Sequence, residues 1–182
     1  MKYYILSKIN VLPNGEKIRL SLKAWTLLIL LEIILSVIIF NFFKDIVLII
    51  KYFIYSQVLL YTSYVDSKTK IIPDEIHILI FLLGIVNIDF YSSVLNLFVL
   101  SLPFFIAAYI TGGIGGGDIK FMASNGFFIG FKGIETFKFI TGCLLLALLI
   151  NLIVLIINKK AFKKQIALAP YLSIGCFLSC LI

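Results

Sequence analysis

The chain has 182 residues, 62% of them hydrophobic and only 14% charged, with a formal net charge of +7 and a mean hydropathy of +1.12. A water-soluble domain of this length needs far more polar surface to cover its core, so that class is excluded and lipid becomes the implied solvent. The basic excess does not point to nucleic acid, because the lysines stand in short clusters between apolar runs, as membrane topology demands.

Residues 1–23 read as a basic cytoplasmic segment and residues 24–182 as one membrane-embedded domain. Backbone amides and carbonyls in hydrocarbon must be bonded internally, so the expected fold is all-α, a polytopic bundle of about six or seven transmembrane helices. A crossing takes about 20 apolar residues. The candidate runs, in order, are Ala24–Phe43, Ile46–Val65, Ile76–Phe90, Val94–Ile110, Ile119–Phe131, Glu135–Ile157 and Ile166–Ile182. The first follows a basic stretch but is too long for a signal peptide and ends without a small-residue cleavage pattern, so it reads as an anchor. The third and fifth are short. The fifth is either re-entrant or crosses where the bilayer is thin.

With the N-terminus inside and all seven runs crossing, twelve of the sixteen basic residues lie inside. Lys44, Lys51, Lys132 and Lys138 lie outside, and the bias favours this orientation. Asp66 closes the second run and Asp118 follows the fourth, so two crossings separate them and both return to the cytoplasmic face.

By position alone Asp66 reads as the first polar residue of a loop. Asp118 ends the stretch Thr111-Gly112-Gly113-Ile114-Gly115-Gly116-Gly117-Asp118, which holds five of the twelve glycines. Such a stretch permits positive φ and close backbone approach, as to an extended peptide; the plainer alternative is a flexible interhelical turn. Two carboxylates in one site share a single proton. The ionised member can then activate water and the protonated member polarise a carbonyl, which is aspartic proteolysis without metal or cofactor. The other protease chemistries lack parts. His77, the single histidine, lies inside an apolar run, and no serine or cysteine has a recognisable partner. Cys143, Cys176 and Cys180 form no CxxC pair and read as small buried apolar side chains.

Asp66 followed by Ile72-Pro73-Asp74 resembles the D-x5-I-P-(N/D) motif of type IV prepilin peptidases, and Gly115-Gly116-Gly117-Asp118-Ile119-Lys120 resembles their GxGD-x-K motif. Ala167-Leu168-Ala169-Pro170-Tyr171-Leu172 is similar to the family's closing segment, and Glu32 to a glutamate preceding the catalytic core. The resemblance covers about residues 18–182. It implies a GxGD-type membrane aspartic endopeptidase of the prokaryotic plasma membrane, with Asp66 and Asp118 catalytic. Its substrates would be prepilins or pseudopilins of type IV pilus and secretion systems, cut after a glycine at the cytoplasmic face. Methyltransferase activity is not expected, because the paired CxxC motifs that carry it in relatives are lacking.

Supporting candidates are Gly115, Gly117, Lys120, Asp74 and Glu32. Pro73-Asp74-Glu75 reads first as a helix start with Asp74 capping, and only second as a third acid. Lys120 either holds Asp118 ionised or binds a substrate group, and its plainer reading is a cytoplasmic interface lysine. Glu32 is an ionisable group within the membrane, functional or bonded between helices. His77 and Asp89 carry no assigned role. The competing function is a transporter with a glycine-rich broken helix, which would call for paired breaks where only one is visible.

Overall fold

The computed structural model describes residues 22–135, 137–142, 145 and 167–181. The elements among them are α1 (Leu22–Phe42), α2 (Ile46–Thr69), α3 (Asp74–Ile85), α4 (Phe90–Thr111), α5 (Gly116–Ile129) and α6 (Ala169–Cys180), with further helical residues at 134–135 and 137–142. No strand occurs among the described residues. The basic segment 1–21, Cys143 and the sixth apolar run beyond 145 lie outside them.

Local chemistry sets the helix ends. Asp45 caps α2, its Oδ1 accepting from the Val47 amide at 3.0 Å. The helix stops where Lys70 turns left-handed, φ 58°, and its amide closes on the Asp66 carbonyl. It therefore runs a full turn past Asp66, which is no loop residue. The third apolar run does not form one helix: α3 stops at Ile85, Asn87 takes φ 52°, and Phe90 opens α4. With 12 residues, α3 rises about 18 Å, and α5 with 14 residues about 21 Å. Both fall short of a core of about 30 Å. Among the described residues, Ile46–Thr69 and Phe90–Ile110 are long and apolar enough to cross a membrane, while the apolar stretches Thr26–Phe42 and Ala169–Cys180 are shorter.

The core forms against one stripe of α2, where Tyr55, Leu59, Thr62 and Asp66 recur at helical spacing and are buried. The Tyr55 ring stacks on Phe128 of α5 at 3.8 Å, and its hydroxyl donates to Asn125 Oδ1. Helices α4 and α5 meet nearly backbone to backbone: a Cβ on Gly126 would stand 2.5 Å from the Asn96 carbonyl oxygen. Asn96 Nδ2 donates to the Gly126 carbonyl at 3.0 Å. At the end of α2 opposite Asp66, Lys51 is buried, its Nζ donating to the Val86 carbonyl at 2.7 Å and standing 4.7 Å from the Phe128 ring centroid. Lys51, assigned by charge distribution to the outer side, thus closes the α3 C-terminus. Outward, Leu27, Phe40, Leu82 and Phe105 are exposed. An apolar surface this extensive suits lipid rather than water.

Candidate active site

Residue spacing brings the two acids together. Asp66 is inward-facing because it continues the buried stripe of α2, and it is 4% exposed. Asp118 is the third residue of α5, whose N-cap is Gly115. The Asp118 amide donates to the Gly115 carbonyl at 3.1 Å, while the Gly115 amide bonds back to the Asp118 carboxylate. This reciprocal capping fixes the acid at the start of its helix. Asp66 and Asp118 line one cavity of about 460 Å³ between the α2 C-terminus, the 70–73 loop and the glycine-rich start of α5.

A third segment reaches the same place. The Ala169 amide, first in α6, donates to Asp66 Oδ2 at 3.0 Å. The α6 N-terminus therefore faces the carboxylate and favours its ionised form. Burial first, and the Asp66 charge second, push Asp118 up to about 6 from 3.8, against the Gly115 amide that favours its ionised form. The Ala169 amide thus offsets part of the cost of charge on buried Asp66, while Asp118 tends to keep its proton.

The secondary candidates fall differently. Asp74 opens α3, but Pro73 occupies the cap position. The Asp74 side chain accepts instead from Lys120 Nζ at 2.8 Å. That bond, with the Lys120 charge, holds the Asp74 carboxyl below its ordinary value. The expected capping by Asp74 is therefore corrected, and so is the idea that Lys120 holds Asp118 ionised: its partner is Asp74, at the cavity rim. Gly115 and Gly117 line the cavity. Positive φ in this stretch occurs at Gly112 alone, φ 62°, and a Cβ on Gly115 or Gly117 would meet only ordinary contacts, at 3.5 and 3.6 Å. The free fold does not require glycine at either position.

Glu32 lies elsewhere, half-buried in a separate cleft of about 430 Å³ with Ser36 of α1 and Phe53 of α2. Among the described residues no cluster of three or more His, Cys, Asp or Glu is placed to hold a metal. Two groups near the site were not named as site residues by sequence, although Ala169 lies in the closing segment that resembles the family's. The Ala169 contribution is a backbone amide, and His77, set aside by sequence, is buried next to the rim pair.

The type IV leader peptidase family model matches residues 53–158, more than half of the chain. The match spans Asp66, Asp74, Gly115, Gly117, Asp118 and Lys120, and leaves Glu32 and Ala169 outside. No curated protein and no solved structure matches the chain.

Proposed function

This chain belongs to the type IV leader peptidase family and is a membrane protease of that kind, and from that premise we propose that Asp66 and Asp118 are its catalytic pair, removing the leader of prepilin- or pseudopilin-type substrates. The observation that carries the reading is that both acids line one cavity while the charge of Asp66 helps to keep Asp118 protonated. Asp66, its Oδ2 accepting from the Ala169 amide, takes a proton from water as the water oxygen attacks the scissile carbonyl carbon. Asp118 donates its proton to the carbonyl oxygen as the tetrahedral diol forms. When the C–N bond breaks, Asp66 returns its proton to the departing amine and Asp118 recovers one from the diol, so the pair ends as it began.

The wall at Gly115–Gly117 supports an extended substrate lying close, since no side chain intervenes between backbone and cavity. The positive-inside distribution supports a cytoplasmic N-terminus, six or seven crossings by residues 24–182, and both acids at the cytoplasmic face. The solute-carrier alternative finds no favour in the family to which the chain belongs.

The test uses the purified chain in liposomes with a synthetic substrate of basic leader, glycine and 20-residue apolar helix, the length of one crossing. Mass spectrometry should find one cut, after the glycine. A folded protein that leaves this substrate whole would refute the assignment.

A further inference from the structure

Next to the acid-lined cavity lies a second one of about 500 Å³ that shares Asp74 and Lys120 with it. One face of α3 forms its wall, with Asp74, Ile78 and Leu82 four residues apart and His77 beside Ile78, opposite Ala123 of α5 and Leu97 of α4. The Asp74–Lys120 ion pair stands at the end where the two cavities join, and beyond it the walls are mainly apolar. From Asp74 to Leu82 the stripe is about 12 Å long, the rise of roughly eight helical residues.

His77 sits one turn inside that end. It is 8% exposed, its ring packs against Phe121, and neither ring nitrogen has a hydrogen-bond partner among the described residues. The nearest charged oxygen, Asp74 Oδ1, is 4.0 Å from Nε2, beyond hydrogen-bond reach. A buried imidazole without partners is costly. A ligand that brings the missing partner into the groove would remove that cost.

We infer that this groove holds the apolar helix following the scissile bond of a leader-bearing substrate, with His77 hydrogen-bonding the substrate backbone where that helix unwinds toward the acids. The inference rests on the peptidase reading above. A protease needs its substrate extended at the bond it cuts, so the helix beyond that bond begins with amides that have no partner within the helix. Near hydrocarbon, water does not satisfy them, and a protein acceptor must. His77 offers one at the junction of the polar cavity and the apolar groove, where the change from extended to helical chain has to fall.

The experiment places a photoreactive benzophenone amino acid at Leu82, or at Ile174 on the exposed face of α6, in an Asp118→Asn background that retains bound substrate. The probe is the same synthetic substrate in liposomes. Leu82 should crosslink to its first eight or so residues after the glycine, and Ile174 should not. Crosslinks from Leu82 to lipid alone, while the leader stays bound, would overturn the inference, as would equal crosslinking from Ile174. In the otherwise native chain, His77→Leu should raise Tm, since it removes an unpaired imidazole. It should raise KM for the full substrate roughly tenfold, with cleavage of a peptide truncated just after the scissile bond unchanged. His77→Gln, which keeps a donor and an acceptor, should recover most of the loss. An unchanged KM in His77→Leu would remove His77 from the account. Wild-type cleavage with no Leu82 crosslink defeats the groove alone, whereas no wild-type cleavage defeats the peptidase reading and the groove with it.

Discussion

The Ala169 amide donates to Asp66 Oδ2 at 3.0 Å across a separation of 103 residues. This one bond ties the last described helix to the second and aims the positive end of α6 at a buried carboxylate. The bond offsets part of the cost of charge on buried Asp66, and that charge helps to keep the proton on Asp118.

The coupling predicts a titration. Asp118, raised from 3.8 to about 6, is protonated between pH about 4 and 6, where an exposed aspartate is ionised. Because the fold favours its neutral form, the associated stability is present below the unfolded value and is lost as pH rises through about 6. Infrared titration of the carboxyl C=O stretch should place the midpoint near 6 in the native chain. In Asp66→Asn the midpoint should fall, without reaching 3.8, because burial remains. An unmoved midpoint would mean that the acids do not sense each other.

The glycines at 115 and 117 predict a separation of stability from activity. A Cβ at either position meets only ordinary contacts in the free protein. Gly117→Ala, inside α5, should leave Tm unchanged or raise it, since alanine is the better helix former by up to about 1 kcal/mol. Cleavage should nonetheless fall about tenfold or more, because the added methyl group occupies space that an extended substrate needs. A lowered Tm with proportionate loss of activity would make these glycines structural.

Gly126 predicts the opposite. Its added Cβ would meet the Asn96 carbonyl oxygen at 2.5 Å and Leu97 Cα at 2.9 Å, both backbone atoms that cannot swing aside. Gly126→Ala should cost about 1–3 kcal/mol by forcing α4 from α5. Thermal unfolding in detergent should show Tm lowered by several degrees, and an unchanged Tm would contradict the close approach.

Lys120 predicts a small effect at the acids. Its ammonium is committed to Asp74 at 2.8 Å, and the pair is well exposed. Lys120→Met should therefore leave the Asp118 infrared midpoint where it is. A shift of that midpoint would restore the expectation that Lys120 acts on Asp118 directly.

Much of this site was legible in the sequence. The motifs around Asp66 and Asp118 stand at helix boundaries that charge, glycine and proline mark clearly, and the helical period of α2 turns Asp66 inward. Other features were harder to read. The run Ile76–Phe90 reads as one apolar segment although Asn87 and Asp89 interrupt it, and it is at Asn87 that the chain turns left-handed after a 12-residue α3. Lys51 looked like any flanking lysine, because its acceptor is the Val86 carbonyl, a backbone atom without a side-chain signature. The segment holding Ala169 did stand out as a motif, but that its backbone amide would reach Asp66 did not. Asp74 and Lys120 are 46 residues apart in the chain, and only the packing of α3 on α5 made them partners.

The central claim, that Asp66 and Asp118 work as one proton-sharing pair, is tested most directly by single-residue replacement in the liposome cleavage assay. Asp66→Asn and Asp118→Asn should each reduce cleavage after the glycine by about 10²–10⁴-fold, and the double variant should be scarcely worse than either single one, because the pair acts as a unit. Cleavage at the native rate by either single variant would contradict the account.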